Sequence, residues 1–136
     1  MIKISPRKSI FSSLKYRCVL VEDEPLAAEM MMEYISNRAE LSLIDVVDNL
    51  DDYEEALTRD KRIDIIFLDL KIRGGEVYQL TEQKPNTVFV VVSAYPPKFS
   101  KYLPKDIGKY FITKPVSIAS FNSCIDRLLN DKELVE

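Results

Sequence analysis

The sequence predicts an α/β fold, a parallel β-sheet covered on both faces by helices. Three observations carry that expectation. From Tyr16 onward, short apolar runs alternate with longer amphipathic ones. Two of the runs, Ile65 to Leu68 and Val88 to Val92, are apolar without interruption, as strands buried on both faces are. The chain has 136 residues, 46% of them apolar, which suits one domain around one core.

The elements follow in order. Tyr16 to Val21 reads as a first strand ending in acids. Pro25 suits the first turn of a helix, with Glu24 or Asp23 as the capping residue. Leu26, Met30 and Tyr34 follow at helical spacing, Met31 and Ile35 broaden the stripe, and the helix should end near Asn37. Leu41 to Val47 is a second strand of mixed pattern. Asp51 to Thr58 is a short acidic helix whose core contacts would be Tyr53, Ala56 and Leu57. Ile63 to Leu68 supplies the third strand, and a helix is expected over Gly75 to Gln83, before Pro85. The fourth strand, Thr87 to Val92, is the most β-branched. Pro96 to Asp106 is at best a weak helix, holding Pro96, Pro97 and Pro104. Lys109 to Ile112 is a short fifth strand. The last helix runs from Ser117 to Leu129 on a stripe of Ile118, Phe121, Ile125, Leu128 and Leu129.

Composition removes several function classes. The chain has no histidine, which excludes Ser-His-Asp and Cys-His mechanisms and histidine-bearing zinc sites. The first 17 residues hold Lys3, Arg7, Lys8, Lys15 and Arg17 and no acid. The remainder carries 14 basic against 22 acidic residues, a net of −8, so this domain is not expected to bind nucleic acid itself. Residues 1–15 are read as a flexible basic extension, 16–132 as the domain and 133–136 as a charged tail. No run approaches the roughly 18 apolar residues of a membrane span, and residues 1–15 lack a secretory apolar core. Cys18 and Cys124 fall in an apolar strand and a helical pattern, as reduced, buried thiols of a cytoplasmic protein would.

In open α/β sheets, functional groups gather beyond the carboxyl ends of the strands. Here those ends carry Glu22-Asp23, Asp69, Ser93 and, beyond the fifth strand, Lys114-Pro115. Each alone is unremarkable: a helix cap, a strand terminator, a surface lysine. Asp69 resists that reading, because it follows four apolar residues directly. Their coincidence at equivalent ends describes one crevice with three carboxylates, a hydroxyl and an ammonium. Clustered carboxylates repel one another and need a cation, and oxygen donors suit Mg²⁺, for which Mn²⁺ could substitute. A carboxylate can also accept a phosphoryl group as an acyl phosphate, if charge on the phosphoryl oxygens is neutralised.

Val21-Glu22-Asp23-Glu24-Pro25, Phe67-Leu68-Asp69, Val92-Ser93-Ala94 and Thr113-Lys114-Pro115 together resemble the receiver domain of two-component response regulators, over residues 16–132. The resemblance implies a flavodoxin-like, CheY-like doubly wound sheet of order 2-1-3-4-5 with five helices. It implies that Asp69 takes a phosphoryl group from the phosphohistidine of a sensor histidine kinase. Asp23, Asp69 and the backbone carbonyl of Lys71 would bind Mg²⁺, with Glu22 acting mainly through water. Ser93 and Lys114 would stabilise the phosphoryl group, and Ser93 with Phe111 would form the switch pair. Tyr110 is the alternative if the register differs by one. The face of the fourth helix, fifth strand and fifth helix would then change, and could form a homodimer. The wording from Glu22 to Ala27 further resembles regulators with a LytTR-type DNA-binding domain. Lys71 and Tyr95, each two residues beyond a site residue, are expected to set phosphoryl lifetime.

The chain departs from its relatives after Asp69. Ile72-Arg73 stand where Met-Pro is common, and Gly74-Gly75 arrive early. That departure keeps open a receiver-like interaction module acting without phosphorylation. An aspartate-nucleophile phosphatase is less well supported, because Lys71 occupies the place of the general acid such chemistry needs.

Overall fold

The computed structural model describes residues 15–59, 62–69, 71–72, 75–76, 86–94 and 109–131. Its elements in chain order are β1 (Tyr16–Val21), α1 (Pro25–Ser36), β2 (Leu41–Val47), α2 (Leu50–Arg59) and β3 (Ile65–Leu68). Then come β4 (Lys71–Ile72), β5 (Gly75–Glu76), β6 (Val88–Ser93), β7 (Tyr110–Thr113) and α3 (Ile118–Asn130). Five strands form one parallel sheet in the order β2-β1-β3-β6-β7. Counted along the chain within that sheet, the order is 2-1-3-4-5, as the sequence predicts.

The period of two along each strand divides the core in two. Cys18 and Leu20 of β1, Ile65 and Phe67 of β3, Val90 and Val92 of β6, and Tyr110 and Ile112 of β7 point to one face. There Met31 and Ile35 of α1 meet Phe121, Cys124, Ile125 and Leu128 of α3. The alternate residues, Val19, Val21, Ile66, Leu68, Phe89 and Val91, point to the other face, onto Tyr53, Ala56 and Leu57 of α2. All four side chains of β3 are fully enclosed. Each such side chain contributes about 2 kcal/mol of transfer free energy, which holds the strand bearing Asp69 at the centre of the sheet.

Local chemistry sets the helix ends. Pro25 opens α1 at a position where no backbone donor is required, and Glu24 caps it without a side-chain hydrogen bond. The Asn49 side-chain oxygen accepts from the Asp52 amide at 2.8 Å and starts α2. Ser117 does the same for α3, accepting from the Ser120 amide at 3.0 Å. In the β1–β2 pairing Cys18 faces Leu43 and Val19 faces Asp45, so Ile44 is an extra residue on β2. That bulge accounts for the mixed pattern of the strand.

Three expectations are corrected. Leu26 and Met30 do not line the buried stripe of α1; they are 72% and 42% exposed, and Met31 and Ile35 face inward with Ala28 and Tyr34 beside them. A helix apolar around more than half its circumference does not specify which stripe turns inward. Ile118 is 44% exposed at the first position of α3, outside the stripe of Phe121, Ile125 and Leu128 that faces the core. The helix expected from Gly75 does not begin there: Gly75 pairs with Ile72 and Glu76 with Lys71 in an antiparallel two-strand ladder. Glycine is a weak helix former, so the position does not favour a helix start. The rest of that helix, the weak helix from Pro96 to Asp106, the basic extension up to Leu14 and the tail lie outside the described residues.

Candidate functional site

The backbone carries the site residues at the last ladder pair, as for Ser93, or just past it. The Glu22 amide donates to the Val47 carbonyl at 3.0 Å, and the Asp69 amide to the Val21 carbonyl at 3.0 Å. The Lys114 amide donates to the Ser93 carbonyl at 3.0 Å. These bonds continue the sheet by one residue, so Glu22, Asp69, Ser93 and Lys114 stand together at its carboxyl edge. The chain turns one way from β1 to β2 and the other way from β1 to β3, the arrangement that opens a crevice in doubly wound sheets.

Within this crevice one cation bridges two buried carboxylates. Lys114 Nζ lies 2.8 Å from Glu22 Oε1 and 3.0 Å from Asp69 Oδ2. Glu22 is 2% exposed, Asp69 9% and Ser93 2%, so these polar groups are as enclosed as the core. The Glu22 Oε2 atom also accepts from the Glu24 amide at 3.1 Å, which ties the side chain to the start of α1. Asp23 is half-buried beside them, and one oxygen each of Glu22, Asp23 and Asp69 lies within 4.8 Å of the others.

The electrostatics follow from burial and from that bridge. Burial pushes the Glu22 carboxyl above its ordinary value, against the pull of the Lys114 ammonium. Burial would lower Lys114, but its hydrogen bonds to Glu22 and Asp69 outweigh this and hold it above the ordinary lysine value. The cation is therefore fixed at neutral pH, and it offsets part of the repulsion within the acid cluster.

The two aromatics of β7 lie on opposite faces of the sheet. Phe111 is half-buried, opposite Val91 in register, and packs on the α2 side. Tyr110 is 2% exposed on the α1–α3 side, where its hydroxyl donates to Asp131 Oδ2 at 2.8 Å. The Arg127 guanidinium covers its ring at 5.0 Å. Phe111 thus stands three residues before Lys114 with its ring toward the α2 face, and Tyr110 is tied to the end of α3. Lys71 opens β4, two residues after Asp69. Tyr95 lies outside the described residues.

Two contacts were not legible in the sequence. The Glu22–Lys114 pair joins residues 92 apart, and sequence spacing gives no sign of it. The Tyr34 hydroxyl donates to the Val116 carbonyl at 3.1 Å, two residues past Lys114, although Tyr34 reads only as one more apolar position of α1.

No protein-family model and no curated protein matches this chain. Solved structures do. The response regulator receiver domain (CheY-like) from Methylobacillus flagellatus is similar with a TM-score of 0.67 and 22% identity, over 85% of this chain and 99% of that one. The response regulator receiver domain protein (CheY-like) from Methanospirillum hungatei JF-1 gives a TM-score of 0.72 at 14% identity, over 88% of this chain and 98% of that one. The RcsB response regulator of Salmonella typhimurium gives 0.76 at 13% identity, over 90% of this chain but only 66% of the longer regulator. Sheet order, helix placement and these neighbours agree: the chain has the CheY-like fold of response-regulator receiver domains.

Proposed function

We propose that this chain is a phosphoacceptor receiver domain of a two-component response regulator, with Asp69 as the acceptor. The observation that carries the proposal is the Lys114 bridge between Glu22 and Asp69 at the carboxyl edge of the sheet, with Asp23 and Ser93 beside it. An interaction module would have no need to keep three acids and an ammonium in a buried crevice, because each costs desolvation free energy.

In the reaction, a carboxylate oxygen of Asp69 bonds to phosphorus as the phosphorus–nitrogen bond of a kinase phosphohistidine breaks. The histidine nitrogen leaves with the electron pair of that bond. This chain has no histidine to supply the phosphoryl group itself, and the resemblance to receiver domains implies a sensor histidine kinase as donor. Lys114, held charged, neutralises one phosphoryl oxygen, and Ser93 offers a hydroxyl to another. The hard oxygen donors of Asp23 and Asp69, within reach of each other, fit Mg²⁺; the Lys71 carbonyl would be a further ligand, and Glu22 would act through water. Bound there, the ion would supply charge neutralisation and alignment, and Mn²⁺ could substitute. Ser93 and Phe111 would report the modification to the face that includes β7 and α3, through which, as the resemblance implies, a homodimer could form. Lys71 and Tyr95 would tune the lifetime of the acyl phosphate.

The test is modification of the purified chain by acetyl phosphate with and without Mg²⁺, read by intact mass. The expected result is one added phosphoryl group that needs the metal, is lost in Asp69→Asn and persists in Asp64→Asn. A chain that gains no phosphoryl group and shows no response to a beryllofluoride mimic is an interaction module, and the proposal fails.

A further inference from the structure

Beneath the site, one side chain connects α1 to the segment that carries Lys114. Strand β7 ends at Thr113 and α3 begins at Ile118, so Lys114 sits at the start of a four-residue connection. The Lys114 main chain is anchored on one side by the Ser93 carbonyl at 3.0 Å. On the other side, Val116 is buried at 8% exposure and its carbonyl accepts from the Tyr34 hydroxyl at 3.1 Å. Tyr34 is itself placed by aromatic packing. Its ring centroid lies 5.7 Å from that of Phe121, and Phe121 lies 5.7 Å from Phe67. Phe67 is two residues before Asp69 on β3, as Val116 is two residues after Lys114. The aromatic file from α1 through α3 to β3 therefore ends under both partners of the Lys114–Asp69 contact.

We infer that Tyr34 is a positioning residue for Lys114: its hydroxyl holds the β7–α3 connection at the height where the ammonium reaches Glu22 and Asp69 together. The inference rests on reading this site as a phosphoryl acceptor. The geometry leaves little room, because contacts of 2.8 Å and 3.0 Å pass out of hydrogen-bond range when the ammonium is drawn back by about 1 Å. The same two helices are joined elsewhere by a contact that does not touch the connection. Arg38 at the end of α1 bonds Asp126 Oδ1 at 2.8 Å and Asn122 Oδ1 at 3.3 Å on α3. Arg38 therefore supplies the control for general loosening between the helices.

The experiment compares the full chain with Tyr34→Phe, which keeps the ring and removes only the hydroxyl, and with Arg38→Gln. Two readouts are taken under conditions where all three are folded: the NMR signal of the Lys114 side-chain ammonium, and the rate of Mg²⁺-dependent phosphorylation by acetyl phosphate. Tyr34→Phe is expected to move the ammonium signal toward those of solvent-exposed lysines and to slow phosphorylation about tenfold or more. Arg38→Gln is expected to lower the unfolding midpoint while leaving both readouts in place. An unmoved ammonium signal in Tyr34→Phe, or an equal shift in Arg38→Gln, overturns the inference. If the unaltered chain takes up no phosphoryl group, the phosphoacceptor reading fails, and the ammonium signal alone still decides the role of Tyr34.

Discussion

Replacing Lys114 with methionine removes the ammonium and keeps most of the apolar length of the side chain. The charge that disappears touches Glu22 and Asp69 at 2.8 Å and 3.0 Å, and the side chains of the three are 1%, 12% and 18% exposed for Glu22, Asp69 and Lys114. Breaking one partner out of a buried pair costs about 3–5 kcal/mol, because the other charge is left uncompensated. Residual water contact at Lys114 and Asp69 screens part of this, so a loss of about 2–3 kcal/mol is expected near neutral pH. For a chain of this length that corresponds to a fall of roughly 10 °C in the unfolding midpoint. The pH dependence has a definite sign. Lys114 has a raised value when folded, so its stabilisation is complete below the unfolded lysine value and disappears only as alkaline pH passes the folded one. The Glu22 value is raised by burial, and a carboxyl of this kind favours the folded state as pH falls through its folded value. In Lys114→Met the opposing pull on Glu22 is gone, so burial raises its carboxyl further and the deficit shrinks as pH falls. Urea denaturation with a chelator present, at neutral pH and in mild acid, measures this. A variant within about 0.5 kcal/mol of the parent at neutral pH refutes the bridge, as does a deficit that does not change with pH.

Other perturbations test the core around the site. Tyr53 is fully buried, and among the described residues its hydroxyl has no hydrogen-bond partner. Tyr53→Phe should therefore stabilise the chain by about 1 kcal/mol, seen as a higher urea midpoint at unchanged slope. Cys18 is fully enclosed, and burial pushes its thiol up to about 12. A thiol reagent at neutral pH should modify it only at the rate of global unfolding, and rapid labelling of the native chain would contradict the packing of β1.

The fold was legible because its strands are continuous apolar runs that end in polar residues, and the buried strands β3 and β6 left little freedom in register. The elements that were misread lacked such constraint. α1 is apolar around most of its surface, so Leu26 and Met30 competed on equal terms with Met31 and Ile35 for the interior. The stretch from Gly75 to Gln83 read as a helix ending before Pro85, but Gly75 pairs instead with Ile72 in the β4–β5 ladder. At the site, the residue types at the strand ends were legible one by one. The pairing of Lys114 with Glu22 as well as Asp69 depends on how far the connection after β7 reaches across β3 toward β1, and no local pattern encodes that.

Strand β3 is bracketed by two aspartates, Asp64 and Asp69, that are 7% and 9% exposed, and burial alone does not distinguish their roles. Their partners do. Asp64 stands at the amino edge, where its Oδ2 accepts from the Arg17 amide at 2.7 Å and its own amide donates to the Arg17 carbonyl at 2.8 Å. Arg62 pairs with it at 2.9 Å. This carboxylate is shared between the Arg17 amide and the Arg62 guanidinium, and it fastens β3 to β1. Asp69 lies at the opposite edge among like charges, with Glu22 and Asp23 oxygens within 4.8 Å. Neutralising each should therefore act in opposite directions. Asp64→Asn weakens a charge-assisted bond to backbone and discards the Arg62 pair, a loss of about 1–2 kcal/mol, held to that range because Arg62 is 53% exposed. Asp69→Asn relieves repulsion in the acid cluster while Lys114 keeps its bond to Glu22, so stability in the absence of metal should hold or rise. Paired urea curves of the two variants decide it. If Asp69→Asn were the more destabilised, Asp69 would be a structural carboxylate like Asp64, and its place as acceptor would lose its physical ground.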